Sequence, residues 1–231
     1  MPYTKTIICL ANSRKLAGRC VAGKEWNGQS LGPWCRPVSA RDRGELTAER
    51  WYSKTWRDPQ LLDVIEVALL APRPSGFQIE NHLVDPSVHW KHLGRIAARQ
   101  LLPALDRPAG PLWANGESTG SGHNDKVAAA VAATQHSSLV LVQPERLIIV
   151  VNTEGADLGN PRRRVRGHFP LAEHDYILAI TDPIVEKHIM SNPDGFSIEL
   201  HNPILCISLS EKYVAQNACY KLIAGVMRVY P

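Results

Sequence analysis

The apolar residues of this chain come in short runs, each closed by Gly, Pro, Asn, Asp or Ser, and only two stretches carry a helical period. Such punctuation predicts a mainly β protein with a few helices. Thr4–Ala11 reads as a buried strand, Asn12-Ser13-Arg14-Lys15 interrupts it, and Gly18–Trp26 reads as the next strand. Gly32–Ser39 is extended, because its two prolines forbid a helix interior. Arg41–Trp56 reads as a short helix or an ordered loop, and Leu61–Leu70 and Ile79–Val84 as strands. Pro86–Leu102 is the first predicted helix: Ser87 can cap it, Trp90, Leu93, Ala97 and Leu101 share a face, and Pro103 closes it.

From Pro103 to His123 the composition shifts to Pro, Gly, Ser and Asn. Beyond it, Ser138–Val142, Leu147–Val151, Val165–Phe169, Tyr176–Thr181, Ile204–Leu209 and Tyr220–Val229 read as strands. Asp182-Pro183 opens the second helix, with Asp as cap and Pro in the first position. Each half thus has about five strands and one helix, as an OB-fold requires. The expected layout is two OB-like small β-barrels in tandem, 1–110 and 136–231, joined by a linker or long loop over 111–135. SH3-like and PUA-like barrels share this strand count and stay open.

With 44% hydrophobic residues the chain can bury a core and does not read as disordered. No apolar run is long enough to cross a bilayer, and the N-terminal stretch lacks the pattern of a secretion signal, so a cytoplasmic protein without membrane contact is expected. Cys9, Cys20, Cys35, Cys206 and Cys219 are odd in number and scattered, which predicts reduced, metal-free thiols. No Walker A loop or G-x-G-x-x-G fingerprint is present, so no cofactor is expected. His123, Asn124, Asp125 and Lys126 form a polar cluster without an oriented nucleophile, and His89 and His92 lack further metal ligands nearby. The balance is against an enzyme.

Positive charge is concentrated. Residues 1–60 hold 11 Lys/Arg against 5 Asp/Glu, whereas residues 61–160 hold 7 against 10. A second peak is Arg162, Arg163, Arg164 and Arg166. Such clusters attract polyanions. Arg14, Lys15 and Arg19 lie between the first two strands and suit phosphates, while Asn12 and Ser13 offer short hydrogen-bonding groups. Trp34 beside Arg36 couples an aromatic platform to a cation, the pairing that holds single-stranded nucleic acid. The four arginines are expected at the surface, and Trp34 is the tryptophan expected to be exposed.

The ordered motifs Cys9–Lys15, Trp34–Ser39, Leu61–Val67, Gln78–Asn81, Tyr176–Pro183 and Cys219–Ala224 resemble those of a family of bacterial dual OB domain-containing proteins. The resemblance spans nearly the whole chain. It implies two OB-like barrels and nucleic-acid binding, and it supplies no catalytic residues. The leading reading is a protein that binds single-stranded DNA or RNA, or a nucleotide, as an accessory subunit of a nucleic-acid processing or defence complex. Two others compete: an enzyme acting on a nucleotide or modified base through the Cys9/Cys20/Cys35 region or the Gly122–Lys126 loop, and a protein–protein adaptor.

Overall fold

Alternating inward and outward side chains and tight turns divide the chain into strands, and their pairing defines two units. The computed structural model describes residues 1–156 and 159–229. One unit comprises Met1–Ala104 with His136–Ser138, the other Leu105–Gln135 with the chain from Leu139 onward.

The first unit contains β1 (Tyr3–Lys15), β2 (Gly18–Trp26), β3 (Leu31–Val38), β4 (Asp63–Pro72), β5 (Asn81–Val84) and β6 (Lys91–Arg95). β1 pairs with β2 and β4, β2 with β3, β3 with β5 in parallel, and β5 with β4, which closes a five-stranded barrel in the order of an OB-fold. Ile7, Cys9, Val21, Cys35, Ile65, Val67 and Leu69 fill it. Where β1 bulges between Cys9 and Ala11 the backbones nearly touch: a Cβ on Gly23 would stand 2.0 Å from the Ile8 carbonyl oxygen, so only glycine fits. β6 extends the sheet from β4 alone and is an edge.

Two expectations for this half are corrected. Asn12–Lys15 do not interrupt the first strand; they continue β1, and the turn is Leu16-Ala17, with Leu16 at φ 51°. Nor do residues 86–102 form a helix. Lys91–Arg95 is a strand hydrogen-bonded to β4, followed by a 3-10 helix at Ala98–Ala104. Trp90 is buried as expected, but Leu93, placed on the same apolar stripe, is 54% exposed. Gly94 has φ 147°, which no helix accommodates.

The second unit contains β7 (Lys126–Ala128), the short α1 (Ala129–Ala132), β8 (Leu139–Val142), β9 (Arg146–Glu154) and β10 (Arg162–Leu171). β11 (His174–Ile180), α2 (Pro183–Met190), β12 (Ser197–His201), β13 (Ile204–Leu209) and β14 (Ala218–Met227) complete it. β9, β10 and β11 form a meander, β11 pairs in parallel with β14, β14 with β13, and β12 returns to β9. β12 and β13 are successive pieces of one barrel strand, broken at Asn202 (φ 47°) and Pro203. The strand order therefore repeats that of the first barrel, and α2 sits between the third and fourth strands, as an OB-fold places its helix. Asp182 caps α2, its carboxylate accepting from the Ile184 and Val185 amides, as the sequence predicted. Gly167 lies at the centre of the core, where a Cβ would stand 2.5 Å from Ile223 Cδ1.

The 111–135 stretch, expected as a linker or long loop, is largely irregular but packs as part of the second unit. Leu112 is in its core and Asp125 is 3% exposed. The segment is a strap rather than a spacer. Its anchor is Lys221, which is fully buried on β14: the ammonium lies 5.1 Å from the Tyr176 ring centroid and donates to the Ala114 carbonyl and to Asn115 Oδ1 at 2.8 Å.

Candidate nucleic-acid interface

OB barrels bind their ligands on the outer face of the second and third strands and the loops flanking it, so the chemistry of those faces decides what each barrel can do. In the first barrel the row Ile8–Lys24–Trp34 crosses this face. Ile8 is fully buried, and Lys24 is 9% exposed and donates to the Ala104 carbonyl at 2.9 Å. The 3-10 segment at Ala98–Ala104 thus covers part of the face. Trp34 is half-buried within β3, its ring 5.2 Å from the Lys24 ammonium. It does not project from a loop.

The other residues proposed in this half separate in the structure. Arg36 is 2% exposed and ion-paired with Glu80 at 3.2 Å, so its guanidinium is not on the surface. Asn12 and Ser13 are each 8% exposed and bond the carbonyls of Pro59 and Cys20. Arg14 is exposed and Lys15 partly so, on the strand end that leads into the hairpin. Arg19 is half-buried, 3.8 Å from Asp58. Only the hairpin tip thus keeps its predicted exposed charge.

In the second barrel the core takes Leu147, Ile149 and Val151 of β9, Val165 and Phe169 of β10, and Tyr176, Leu178 and Ile180 of β11. The alternate residues face away. Ile148, His168 and Ile177 lie directly opposite one another as a cross-strand row. With Arg146, Pro170, Asp175 and His123 they line a cleft of about 270 Å³. His123 belongs to the strap, whose backbone bonds Ile177 in both directions at 3.2 and 3.0 Å. Burial, and secondarily the charge of Arg166, hold the His168 imidazole below its ordinary pKa, so its neutral form is favoured. Among the described residues Arg146 is exposed and has no acidic partner.

The arginine cluster on β10 divides by parity. Arg162, Arg164 and Arg166 point to the same face as His168, but their surroundings differ. Arg166 is 8% exposed, held by Glu154 through two contacts at 2.6 and 3.0 Å and by Asp125 at 3.2 Å. The expectation that all four arginines lie at the surface is corrected there: three charges buried together satisfy one another. Arg163 faces the other way and donates to the Met190 carbonyl at 2.9 Å and to that of Asn192, and it pairs with Asp194 at 2.9 Å. Arg164 is exposed with only a loose contact to Glu154 at 3.7 Å, and Arg162 is exposed beside Asn160. Past β13, the loop before β14 carries Lys212 and a 51% exposed Tyr213.

The chain from residue 5 to residue 226 matches the model of the dual OB-containing domain. The chain belongs to that family. No curated protein and no solved structure matches it. The closed five-stranded barrel and the second sheet accord with a dual OB content, and an OB barrel is a fold of nucleic-acid-binding type. No helix among the described residues is long and apolar enough to cross a membrane.

Of the groups weighed for chemistry, Cys9, Cys35 and Asp125 are buried and Cys20 is half-buried. Cys9 and Cys35 are fully buried in the first barrel, and burial pushes the Cys35 thiol up to about 12, far from a reactive thiolate. Asp125, in the Gly122–Lys126 loop, accepts from Thr119 N at 2.8 Å and Thr119 Oγ1 at 2.7 Å besides pairing with Arg166. Its oxygens are engaged in structure. His92 faces Asp63 at 3.6 Å, whereas His89 packs on Trp56.

Sequence reasoning did not single out Arg146, His168 and Ile177, which line the cleft, and it weighed His123 only as part of a catalytic loop. The usable signal was parity along β9 and β10, which becomes readable once the core face is known.

Lys221 gives a pH test of the strap. Burial pulls its ammonium down to about 7, against a smaller upward pull from Asp125. Below about pH 7 both folded and unfolded chains hold the proton; between there and the ordinary lysine value of about 10 only the unfolded chain does. Stability therefore rises with pH across that window. The slope of unfolding free energy against pH is expected to be steeper in the wild type than in Lys221→Met, as measured by urea titration. Equal slopes would show that Lys221 does not titrate there.

Proposed function

We propose that the protein binds single-stranded nucleic acid on the outer face of its second barrel. One observation carries this reading: the ligand face of that barrel holds an open cleft with the cross-strand row Ile148–His168–Ile177 and the unpaired Arg146 at its edge. The two isoleucines and the neutral imidazole offer flat, weakly polar surface for a base, and histidine is among the side chains on which unstacked bases rest. Arg146, Arg162 and Arg164 supply positive charge for the backbone. Asp175, also in the lining, disfavours a phosphate inside the cleft but can accept from a base amino group. The phosphates would then pass outside the cleft, along β10.

The test is equilibrium binding of a labelled single-stranded oligonucleotide across a salt series. Affinity is expected to fall with rising salt, and Arg146→Glu with Arg162→Glu should flatten that dependence by roughly 0.7 per lost phosphate contact in log–log slope. His168→Ala should weaken binding about tenfold with the salt slope unchanged, because it removes a stacking surface and no charge. Binding indifferent to salt and to these variants would remove the second-barrel face from the reading.

A further inference from the structure

We propose that Trp56 is a second base-stacking platform, carried by the first unit and used by the same class of single strand; the inference rests on the nucleic-acid reading above. Trp56 is 61% exposed, whereas the other five tryptophans are partly or wholly buried. Leaving so large an apolar side chain in water sacrifices the burial for which tryptophan is most useful in a core.

The loop holds it out by construction. Trp56 has φ 54°, a backbone region that bulky side chains enter only when their surroundings enforce it. Here the surroundings are Tyr52, 3% exposed in the barrel core, whose carbonyl accepts from the Trp56 amide at 2.9 Å and whose amide donates to the Arg57 carbonyl at 3.1 Å. The turn is thus fixed to the core while the indole projects. His89 supports it from one side, its ring edge-on at a centroid distance of 4.8 Å and an interplanar angle of 77°. A side chain held in this way loses little freedom when a base stacks on it.

The charges choose the ligand. Lys54 and Arg57, two residues before Trp56 and one after, are both exposed, and among the described residues neither pairs with an acid. A bare apolar platform could serve a protein or a sugar. A rigid indole between two unmatched cations fits a chain of flat apolar rings joined by phosphates. The ligand class is therefore single-stranded nucleic acid, with a base on Trp56 and adjacent phosphates at Lys54 and Arg57.

The experiment compares the full-length wild type with Trp56→Ala, Trp56→Phe, the pair Lys54→Glu with Arg57→Glu, and His168→Ala. Each is titrated with a fluorescein-labelled oligothymidylate and melted in parallel. Trp56→Ala is expected to lose about tenfold in affinity at an unchanged melting temperature, and Trp56→Phe to keep most of the affinity. The charge-reversed pair should show a shallower salt dependence. Wild-type affinity in Trp56→Ala alongside loss in His168→Ala overturns the platform and leaves the second-barrel reading standing. Loss in Trp56→Ala with wild-type affinity in His168→Ala supports the platform and rejects the second-barrel site. A melting temperature that falls in Trp56→Ala but not in Trp56→Phe assigns the indole to folding and overturns the proposal. Absence of oligonucleotide binding by the wild type overturns both.

Discussion

Trp90→Ala is expected to unfold the first unit. The side chain is fully buried in the core that also holds Tyr52, Ile65, Val67 and Leu69, and its carbonyl accepts from the Ser53 amide at 3.0 Å. Truncating a buried Trp costs about 3–5 kcal/mol, because the transfer free energy is lost and the vacated volume collapses only in part. Typical domains have about 5–15 kcal/mol in all, so one such cavity consumes much or all of the margin. The indole Nε1 has no hydrogen-bond partner among the described residues. Trp90→Phe therefore forfeits volume but no bond, and should be far milder. Urea midpoints of the two variants check this, and a Trp90→Ala midpoint close to the wild type would mean that the cavity collapses or that the core does not depend on the indole.

Arg166→Met should be comparably severe in the second unit, for an electrostatic reason. Arg166, Glu154 and Asp125 have side-chain exposures of 10%, 13% and 5%. Removing the cation takes the ion-pair partner from Asp125 in a poorly solvated place and leaves Glu154 with only the 3.7 Å contact to Arg164, and breaking a buried pair in this way costs about 3–5 kcal/mol. A double mutant separates this from simple loss of packing. Adding Glu154→Leu should recover part of the loss at neutral pH, giving a measurable coupling between the two positions. An Arg166→Met protein as stable as the wild type, with no coupling to Glu154→Leu, would show that the guanidinium is solvated rather than enclosed.

The parts of the fold legible in the sequence are those fixed locally. Asp182-Pro183 marks a helix start because a cap acts on amides two and three residues away. Gly18–Trp26 is a strand in the sequence and in the structure with the same ends. Residues 86–102 show the opposite case. Trp90, Leu93, Ala97 and Leu101 have a helical period, yet the hydrogen bonds that decide the conformation come from Asp63–Glu66 on β4, which no local pattern reveals. The candidate site was hidden for a related reason. Arg36 and Arg166 are charged residues that the sequence places at the surface, and their burial depends on Glu80, Glu154 and Asp125, which are distant along the chain. Trp34 and Trp56 are alike as letters. One is absorbed into a strand, and the other is turned outward by a single left-handed residue.

β6 also bears on how the molecule behaves at high concentration. It is a sheet edge, and an open edge is a template on which another chain can polymerise by strand addition. The sequence of this edge, Lys91-His92-Leu93-Gly94-Arg95, opposes such growth in three ways. It is only five residues long, it carries cations near both ends, and the register shift opposite Val64 and Ile65 bends it where Gly94 takes φ 147°. Lys91 and Arg95 are held by Glu66 and Asp63 of β4, so a second copy would have to accommodate these ion pairs to complete a ladder. The segment that looked like a helix thus ends as a short, bent edge that is poorly suited to strand addition.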